Sequence, residues 1–326
     1  MNKLFKKCKN LQLNIIKGFD FISNNSKKDD TDIFLDNKFN DTQYIETNNY
    51  SCNVNIIDDI YNKIIHSQDF YETYKMLKII YRKKYKAAFI VKSKINKQNY
   101  FIKIKSNEID DNNEYSIYEK LKDVNSKYII KYIDYIKKID YSYYIYEYYL
   151  AENLFEYVKK NNVNIIKVKH IFYQIATAVK LLHDNNIIHG DLKLENILIN
   201  ENLDIKIIDF DLSNVFSGEY VSDSIYGTVN YIAPESYNLA VYSKKSDVWC
   251  MGVILYVLLT KKFPCEMNLI SCESKSNMFR INNFRHINYQ IILDNFDQNT
   301  QQLLQGLLFF EDDKRMNIDQ VLSYKW

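Results

Sequence analysis

A polar octet enclosed by apolar runs constrains this chain more than any other feature of its sequence. The octet HGDLKLEN, residues 189–196, lies between the runs II and ILI. Apolar runs are usually buried, so the charged residues between them are expected in a loop held against a core. Eighteen positions after Asp191, the run DIKIID ends at Asp209, which Phe210 and Asp211 follow. The sequence therefore predicts two polar loops, each beside a buried segment, as the place where function resides.

The chain before this octet reads as a polar extension followed by a small sheet. Residues 1–73 are rich in Asn, Asp and Lys and weakly periodic, which predicts disorder, with a short helix over 56–65 as an exception. Within residues 74–149, five runs rich in β-branched and aromatic residues predict strands, of which the first three are antiparallel. Residues 114–122, between the third and fourth runs, have helical periodicity.

Helical patterns prevail from residue 150 onwards. Residues 168–186 predict an amphipathic helix, and residues 248–259 are apolar on all sides, as a buried helix is. We therefore expect an α+β fold with two lobes. The smaller N-lobe, about 74–149, has an antiparallel sheet and one main helix, whereas the larger C-lobe, about 150–326, is mainly helical.

The composition excludes several classes of function. The net charge is +2, from 43 Lys and Arg against 41 Asp and Glu, so no basic arm predicts nucleic-acid binding. No apolar run approaches the roughly 18 residues of a membrane span. The five cysteines are odd in number and lack C-x-x-C spacing, which favours reduced thiols. Because the first residues also lack a secretory signal pattern, we expect a cytoplasmic protein or, alternatively, a nuclear one.

Five motifs follow one another in the order found in eukaryotic protein kinases. Residues 189–196 resemble the catalytic loop of that family, and residues 209–211 resemble its metal-binding loop. Three further segments resemble the end of the activation segment, the central helix of the large lobe and the last helical subdomain: GTVNYIAPE at 227–235, SDVWCMGVILY at 246–256 and DKRMNIDQVLSYKW at 313–326. The resemblance covers residues 74–326 and implies the bilobal protein kinase fold over that range.

The resemblance assigns a role to the polar residues of both loops. It implies that Asp191 accepts or orients the proton of the substrate hydroxyl and that Lys193 steadies the γ-phosphate of ATP. A lysine at that place is typical of serine/threonine rather than tyrosine kinases. Asn196 and Asp209 would hold Mg²⁺, whose charge offsets that of the phosphate oxygens. The alternative for these four residues is a solvated polar loop.

The small lobe supplies the expected nucleotide site. The run YFIK, which ends at Lys103, is similar to the third-strand Val-Ala-Ile-Lys pattern of the family. It implies that Lys103 binds the α- and β-phosphates with Glu114 as its ion-pair partner, although Lys105 lies on the same strand face and remains an alternative. Glu147 and Tyr149 would bound the hinge whose backbone binds adenine.

Three further expectations concern shape and stability. Tyr146 would be the gatekeeper that narrows the back of the nucleotide pocket, unless this stretch is merely an aromatic strand.

Glu235 would pair with Arg315, one of only four arginines in the chain, because the planar guanidinium of arginine matches a carboxylate better than the ammonium group of lysine does. Asp247 would anchor the backbone of the catalytic loop.

The phosphate loop departs from the family pattern. The chain has no glycine between Gly18 and Gly190, and alignment puts Tyr81, Lys83 and Lys86 where the family has glycines. Glycines let backbone N–H groups approach phosphates closely. We hypothesise that the basic side chains of this turn replace those amides, against the alternative of a solvated basic turn: Arg82, Lys83, Lys84 and Lys86.

Two other positions depart from the family. Asp211 stands where the glycine of Asp-Phe-Gly is expected, which places an additional carboxylate near the metal site. Gly190 stands where the arginine of His-Arg-Asp is expected, so activation by phosphorylation of the activation segment is less favoured. Asp211 and the substituted phosphate loop favour a binding scaffold that has the fold without turnover.

The sequence thus predicts a kinase that uses ATP and Mg²⁺ to phosphorylate serine and threonine residues of protein substrates. The alternatives are a pseudokinase scaffold and a small-molecule kinase of similar fold. The motifs are most similar to the calcium/calmodulin-dependent branch and to the calcium-dependent (CDPK-like) kinases of plants and apicomplexans. No D-x-D-x-D-G loop is present, so no calcium-binding domain is expected in cis. Glu152 and Glu195 favour substrates with basic residues.

Overall fold

The computed structural model of the protein describes residues 68–83, 85–108, 113–216, 218–264 and 295–326. The helix predicted over 56–65 and the disorder predicted for residues 1–67 lie outside these ranges. Cys250 is the described cysteine, and its thiol is free and buried. No helix in the described ranges combines the length and the apolar character needed to cross a membrane.

A five-stranded antiparallel sheet forms the small lobe, as the runs of β-branched and aromatic residues predicted. Its elements are α1 Gln68–Thr73, β1 Tyr74–Lys83, β2 Lys86–Ser93, β3 Asn99–Ser106, α2 Asn113–Leu121, β4 Tyr132–Lys137 and β5 Tyr141–Glu147. The strand order is β1-β2-β3-β5-β4. One face packs on α2, whose buried residues Glu114, Ile117 and Leu121 recur every three or four positions.

The sheet register determines which side chains face the site. Ala88, Lys103 and Tyr144 lie side by side on three neighbouring strands. Because side chains alternate along a strand, Lys105 shares this inner face with Lys103. The opposite, outer face carries Ile102 and its neighbours.

Helix α1, at the end of the predicted extension, covers part of the outer face of the sheet. Phe70 is buried there and stacks on Tyr143 with ring centroids 6.1 Å apart. The Phe70 ring, together with a hydrogen bond from the Lys94 N–H to the Thr73 carbonyl at 2.8 Å, ties residues 68–73 to the sheet. The polar composition around Phe70 gave no sign of this contact.

The large lobe is mainly helical, as predicted. Its helices are α3 Leu154–Lys160, α4 Ile165–Asp184, α5 Pro234–Leu239, α6 Lys244–Thr260, α7 Gln298–Leu307 and α8 Ile318–Ser323. Short strands line its junction with the small lobe and the loops beside it: β6 Glu152–Asn153, β7 Ile187–Ile188, β8 Ile197–Ile199, β9 Ile205–Ile207, β10 Asn214–Val215, β11 Tyr220–Val221 and β12 Val241–Tyr242. Both predicted lobes are therefore present.

Helix α6 is the centre of the large lobe. It begins four residues before the predicted 248–259 segment because Ser243 and Ser246 form a capping box at its N-terminus. Trp249 is 2% exposed and stacks beneath the guanidinium of Arg315, 5.0 Å from the ring centroid. The other tryptophan, Trp326, also packs in this lobe, edge-on against a helix α4 side chain.

Candidate functional site

The loop after β7 is held from beneath by a buried carboxylate of α6. Asp247 accepts hydrogen bonds from the backbone N–H groups of His189, at 2.9 Å, and Gly190, at 3.1 Å. His183 Nε2 lies 2.9 Å from the same carboxylate. The predicted anchoring role of Asp247 is confirmed, and it fixes the backbone that carries Asp191.

Three donors converge on Asp191, which is 6% exposed. Lys193 Nζ lies 2.8 Å from Asp191 Oδ2, and Asn196 Nδ2 donates to the same oxygen at 3.2 Å. The Thr228 hydroxyl donates to Oδ1 at 2.8 Å and itself accepts from Lys193 Nζ at 2.8 Å. The structure thus brings predicted residues of the octet together and adds Thr228, for which the sequence analysis predicted no role.

Asp209 follows β9 and faces the small lobe. Its φ of +65° is a left-handed conformation that aspartate tolerates better than most residues. The next residue, Phe210, is fully buried and packs on His189 with ring centroids 5.3 Å apart. This packing fixes the loop, while the Asp209 side chain remains 29% exposed and lies 3.1 Å from Lys103 Nζ.

The donor chemistry at the two loops suits Mg²⁺. The amide nitrogen of Asn196 donates to Asp191, which turns its amide oxygen away from that carboxylate. Asp209 contributes a partly exposed carboxylate. Mg²⁺ prefers oxygen ligands and is commonly held by one or two carboxylates together with substrate phosphates. Within the described ranges, no group of three or more His, Cys, Asp or Glu side chains is arranged to hold a metal ion.

Lys103 and Glu114 form the ion pair that the motif spacing implies. Lys103 Nζ lies 3.1 Å from Glu114 Oε1, and both side chains are almost fully buried. The Tyr146 hydroxyl donates to the same Glu114 oxygen at 2.6 Å. Burial raises the pKa of Glu114 to about 7, although Lys103 opposes the shift. The predicted gatekeeper is therefore tied directly to the ion pair behind the site.

Asp211 adds a third carboxylate around Lys103. Asp211 contacts Lys103 closely, lies 3.4 Å from Lys105 Nζ, and lies 3.3 Å from Lys86 Nζ. Burial raises the pKa of Asp211, but the Lys103 and Lys105 ammonium groups outweigh burial and hold it well below its usual range. Burial also lowers the pKa of Lys103, yet its carboxylate neighbours hold it well above its ordinary value. Both side chains therefore stay charged.

The turn between β1 and β2, where the phosphate loop is expected, is a tight hairpin. Lys83 pairs with Lys86, so β1 and β2 are joined by two residues. Arg82 pairs with Ala87, on the sheet face opposite to Lys83 and Lys86, and this removes Arg82 from the hypothesis of substituted amides. Lys84 lies outside the described residues. Lys86 contacts Asp211, in the loop after β9, at 3.3 Å.

The side chains of the predicted hinge contact other protein groups. Glu147 accepts a hydrogen bond from the Lys131 backbone at 2.8 Å and pairs with Lys206 Nζ at 2.8 Å. The Tyr149 hydroxyl donates to the Asp204 carbonyl at 3.1 Å. Any contact of these two residues with a nucleotide base would thus use their main chain.

A glycine and two stacked tyrosines shape the activation segment. Gly190 has a φ of +78°, and a Cβ there would lie 2.4 Å from the Leu212 carbonyl oxygen. The Tyr226 ring stacks on Tyr242 with centroids 3.8 Å apart. The Tyr242 hydroxyl accepts from the Tyr226 N–H at 2.7 Å and donates to the Tyr226 carbonyl at 2.8 Å. These contacts hold the segment beside the loop that carries Asp191 without a phosphorylated side chain.

The predicted pair of Glu235 and Arg315 is confirmed. The two guanidinium nitrogens bind the two carboxylate oxygens at 2.8 and 2.9 Å, in a bidentate geometry that lysine cannot reproduce. Arg315 is 1% exposed and also donates to three backbone carbonyls. The pair therefore joins the end of the activation segment to the last helical subdomain.

Comparisons with known proteins agree with these features. The family model described as "Protein kinase domain" matches residues 74–326. A probable serine/threonine-protein kinase KIN1 homolog of Enterocytozoon bieneusi is 31% identical over 205 residues, which are 62% of this chain and 33% of that protein. The SNF1-related protein kinase catalytic subunit alpha KIN12 of Arabidopsis thaliana is 31% identical over 203 residues, which are 61% of this chain and 39% of that protein.

Another relative and a solved structure extend the comparison. The carbon catabolite-derepressing protein kinase of Candida glabrata is 41% identical over 140 residues, covering 42% of this chain and 22% of that protein. The crystal structure of Rad53 1-466 in complex with AMP-PNP superposes with a TM-score of 0.63 at 21% identity, covering 78% of this chain and 65% of that one. At 21% identity, the likeness to the Rad53 structure concerns the fold. This chain spans 22% to 39% of the length of the three relatives.

Proposed function

Because the chain belongs to the protein kinase domain family, we propose that it transfers the γ-phosphate of ATP to serine and threonine hydroxyls of proteins. The observation that carries this proposal is the convergence of Lys193, Asn196 and Thr228 on the buried carboxylate of Asp191. Two of the relatives named above are called serine/threonine-protein kinase or protein kinase catalytic subunit, which supports the same chemistry.

In the proposed reaction, Asp191 orients the attacking hydroxyl and accepts its proton. Its Oδ1 and Oδ2 are held by different donors, so the carboxylate is fixed before a substrate arrives. Lys193, 2.8 Å from Asp191, places a positive charge where the γ-phosphate develops negative charge during transfer. Phosphoryl transfer depends mainly on such positioning and charge stabilisation.

The nucleotide would lie between the sheet and the two loops. Lys103, held by Glu114, would bind the α- and β-phosphates, and the backbone between Glu147 and Tyr149 would bind adenine. Asn196 and Asp209 would hold Mg²⁺, which when bound offsets the negative charge of the phosphate oxygens. These roles follow from the family pattern and from the ion pair at 3.1 Å.

The finer placement in the calcium-dependent branch stays a prediction, since the relatives reported above carry other names. The preference for basic substrates stays a proposal as well. Glu152 is paired with Lys160 at 2.7 Å, and Asn153 caps helix α3. Glu152 and Glu195 are the acidic residues on which this preference rests.

Transfer of labelled γ-phosphate from Mg-ATP to a generic Ser/Thr substrate tests the proposal. We expect Asp191→Asn to lower the rate at least about 100-fold, as loss of a general base does. Asp313→Asn is the matched control, because Asp313 is an exposed acid remote from the site. Equal rates for the wild type and Asp191→Asn, or no transfer by the wild type, would refute the proposal. Nucleotide binding without transfer would favour the pseudokinase scaffold.

A further inference from the structure

Two departures from the family pattern contact one another across the site. Lys86 stands at a glycine position of the phosphate loop, and Asp211 stands at the glycine position of the metal-binding loop. The two are 125 residues apart in sequence, yet Lys86 Nζ lies 3.3 Å from Asp211 Oδ2. The hairpin of the small lobe and the loop after β9 are thus joined by an ion pair between two residues that replace glycines.

Lys105 is the third charged residue of this arrangement. Its side chain is 4% exposed, and Nζ lies 3.1 Å from Glu114 Oε2 and 3.4 Å from Asp211 Oδ1. Glu114 therefore has one oxygen beside Lys103 and the other beside Lys105. The contact with Oε2 is an ion pair rather than a directed hydrogen bond. Lys105 steadies Glu114 from the side that Lys103 does not reach.

Charge balance makes Lys105 and Asp211 depend on each other. The ion pairs around Lys103 form a charge cluster of three ammonium groups and three carboxylates: Lys86, Lys103, Lys105, Glu114, Asp209 and Asp211. Loss of Lys105 alone leaves Asp211 and Glu114 with one positively charged partner fewer beside the place where phosphates would bind. Loss of Asp211 together with Lys105 restores the balance, because a buried charge is tolerated only with a partner.

We propose that Lys105 and Asp211 are positioning residues that act as one pair for the binding of a nucleoside triphosphate. Lys105 offsets the carboxylate of Asp211, which Lys86 also contacts from the hairpin. When phosphates take the place of Asp211 beside Lys103, Lys105 and Lys86 remain as partners of Asp211. This inference rests on the proposed function, since it takes ATP as the ligand of the site.

A double-mutant cycle tests the pair: Lys105→Met, Asp211→Asn and the two combined. The dissociation constants of AMP-PNP and of adenosine are measured for each protein by calorimetry. We expect Lys105→Met to weaken AMP-PNP binding about tenfold or more and the double mutant to return to within about threefold of the wild type. Adenosine binding is expected to change little in all variants, because adenosine carries no phosphate. Lys92→Met, an exposed lysine of β2, is the control for loss of one positive charge.

Each outcome has a definite meaning. A double mutant that binds AMP-PNP as weakly as Lys105→Met, or more weakly, overturns the inference, as does an equal loss of adenosine affinity. If Lys105→Met does not fold, recovery of cooperative unfolding in the double mutant supports the compensation, and an unfolded double mutant refutes it. If the double mutant recovers AMP-PNP binding but the wild type transfers no phosphate, the proposed function alone is refuted. Phosphate transfer without the recovery would refute the positioning inference alone.

Discussion

Gly190 provides the sharpest test of how the catalytic loop is held. Its φ of +78° lies in the left-handed region, which costs a residue with a side chain about 1–2 kcal/mol. In addition, a Cβ would lie 2.4 Å from the Leu212 carbonyl oxygen, so backbone must move. Relief of such a contact through bond angles and peptide planarity costs about 1 kcal/mol or more. We therefore expect Gly190→Ala to lower the free energy of unfolding by at least about 2 kcal/mol.

The matched control is Gly218→Ala, in the same region of the chain. A Cβ on Gly218 would lie 3.5 Å from a Phe216 ring carbon, an ordinary contact, and its φ is outside the strained range. We expect this variant to be neutral or slightly stabilised, because alanine restricts the unfolded chain. Urea unfolding of both variants measures the difference. A Gly190→Ala protein within about 0.5 kcal/mol of Gly218→Ala would refute the reasoning.

Gly190→Ala is also expected to slow phosphate transfer, because it displaces the neighbouring Asp191. The N–H of Gly190 donates to Asp247 at 3.1 Å, and Asp191 follows directly. A displacement of about 1 Å in a catalytic group can lower the rate about 100-fold. Gly190→Ala should therefore lose phosphate transfer more than Gly218→Ala does, even at temperatures where both are folded. The arginine that the family has at this place would meet the same obstacle.

Two further predictions concern contacts away from the reacting groups. Lysine has three N–H donors, so Arg315→Lys cannot make the five donor contacts of Arg315 and leaves at least two buried acceptors without partners. The free energy of unfolding, measured in urea, should fall by about 3 kcal/mol. Arg82→Lys, at an exposed position, is the control, and an equal loss of stability in both variants would contradict this prediction. Tyr242→Phe keeps the ring stack but leaves the Tyr226 N–H and carbonyl without their partner, which should cost about 2 kcal/mol. Tyr173→Phe, on an exposed face of α4, should cost nothing measurable, and equal stability of the two variants would count against the role of the hydroxyl.

The sequence was most informative where a motif fixes both residue type and spacing. The contacts of Asp247 with the catalytic loop and of Arg315 with Glu235 were predicted from motif position, because each motif determines its place in the fold. The two-lobed architecture followed from strand and helix periodicity. Helix α6 was predicted too short, since its start depends on a serine capping box that apolar periodicity does not reveal.

Contacts between distant segments without a motif could not be predicted. The hydroxyl of Thr228 reaches Asp191 across 37 residues, and the contact depends on the path of the activation segment. The pairing of Lys86 with Asp211 depends on how closely the hairpin approaches the loop after β9. In a lysine-rich chain, a lysine that forms such a pair has the same local signature as a solvated one. Tertiary structure, rather than pattern, distinguishes them.

The two tryptophans restrict what optical measurements can detect. Trp249 and Trp326 are the only tryptophans among 326 residues, and both pack in the large lobe. Their fluorescence therefore reports on that lobe, while the sheet of the small lobe, which is rich in tyrosine, can unfold without a change in tryptophan emission. Because the Arg315 guanidinium lies over the Trp249 ring, Arg315→Lys should also alter the emission of the folded protein. Circular dichroism or tyrosine emission is the signal that would detect independent melting of the sheet.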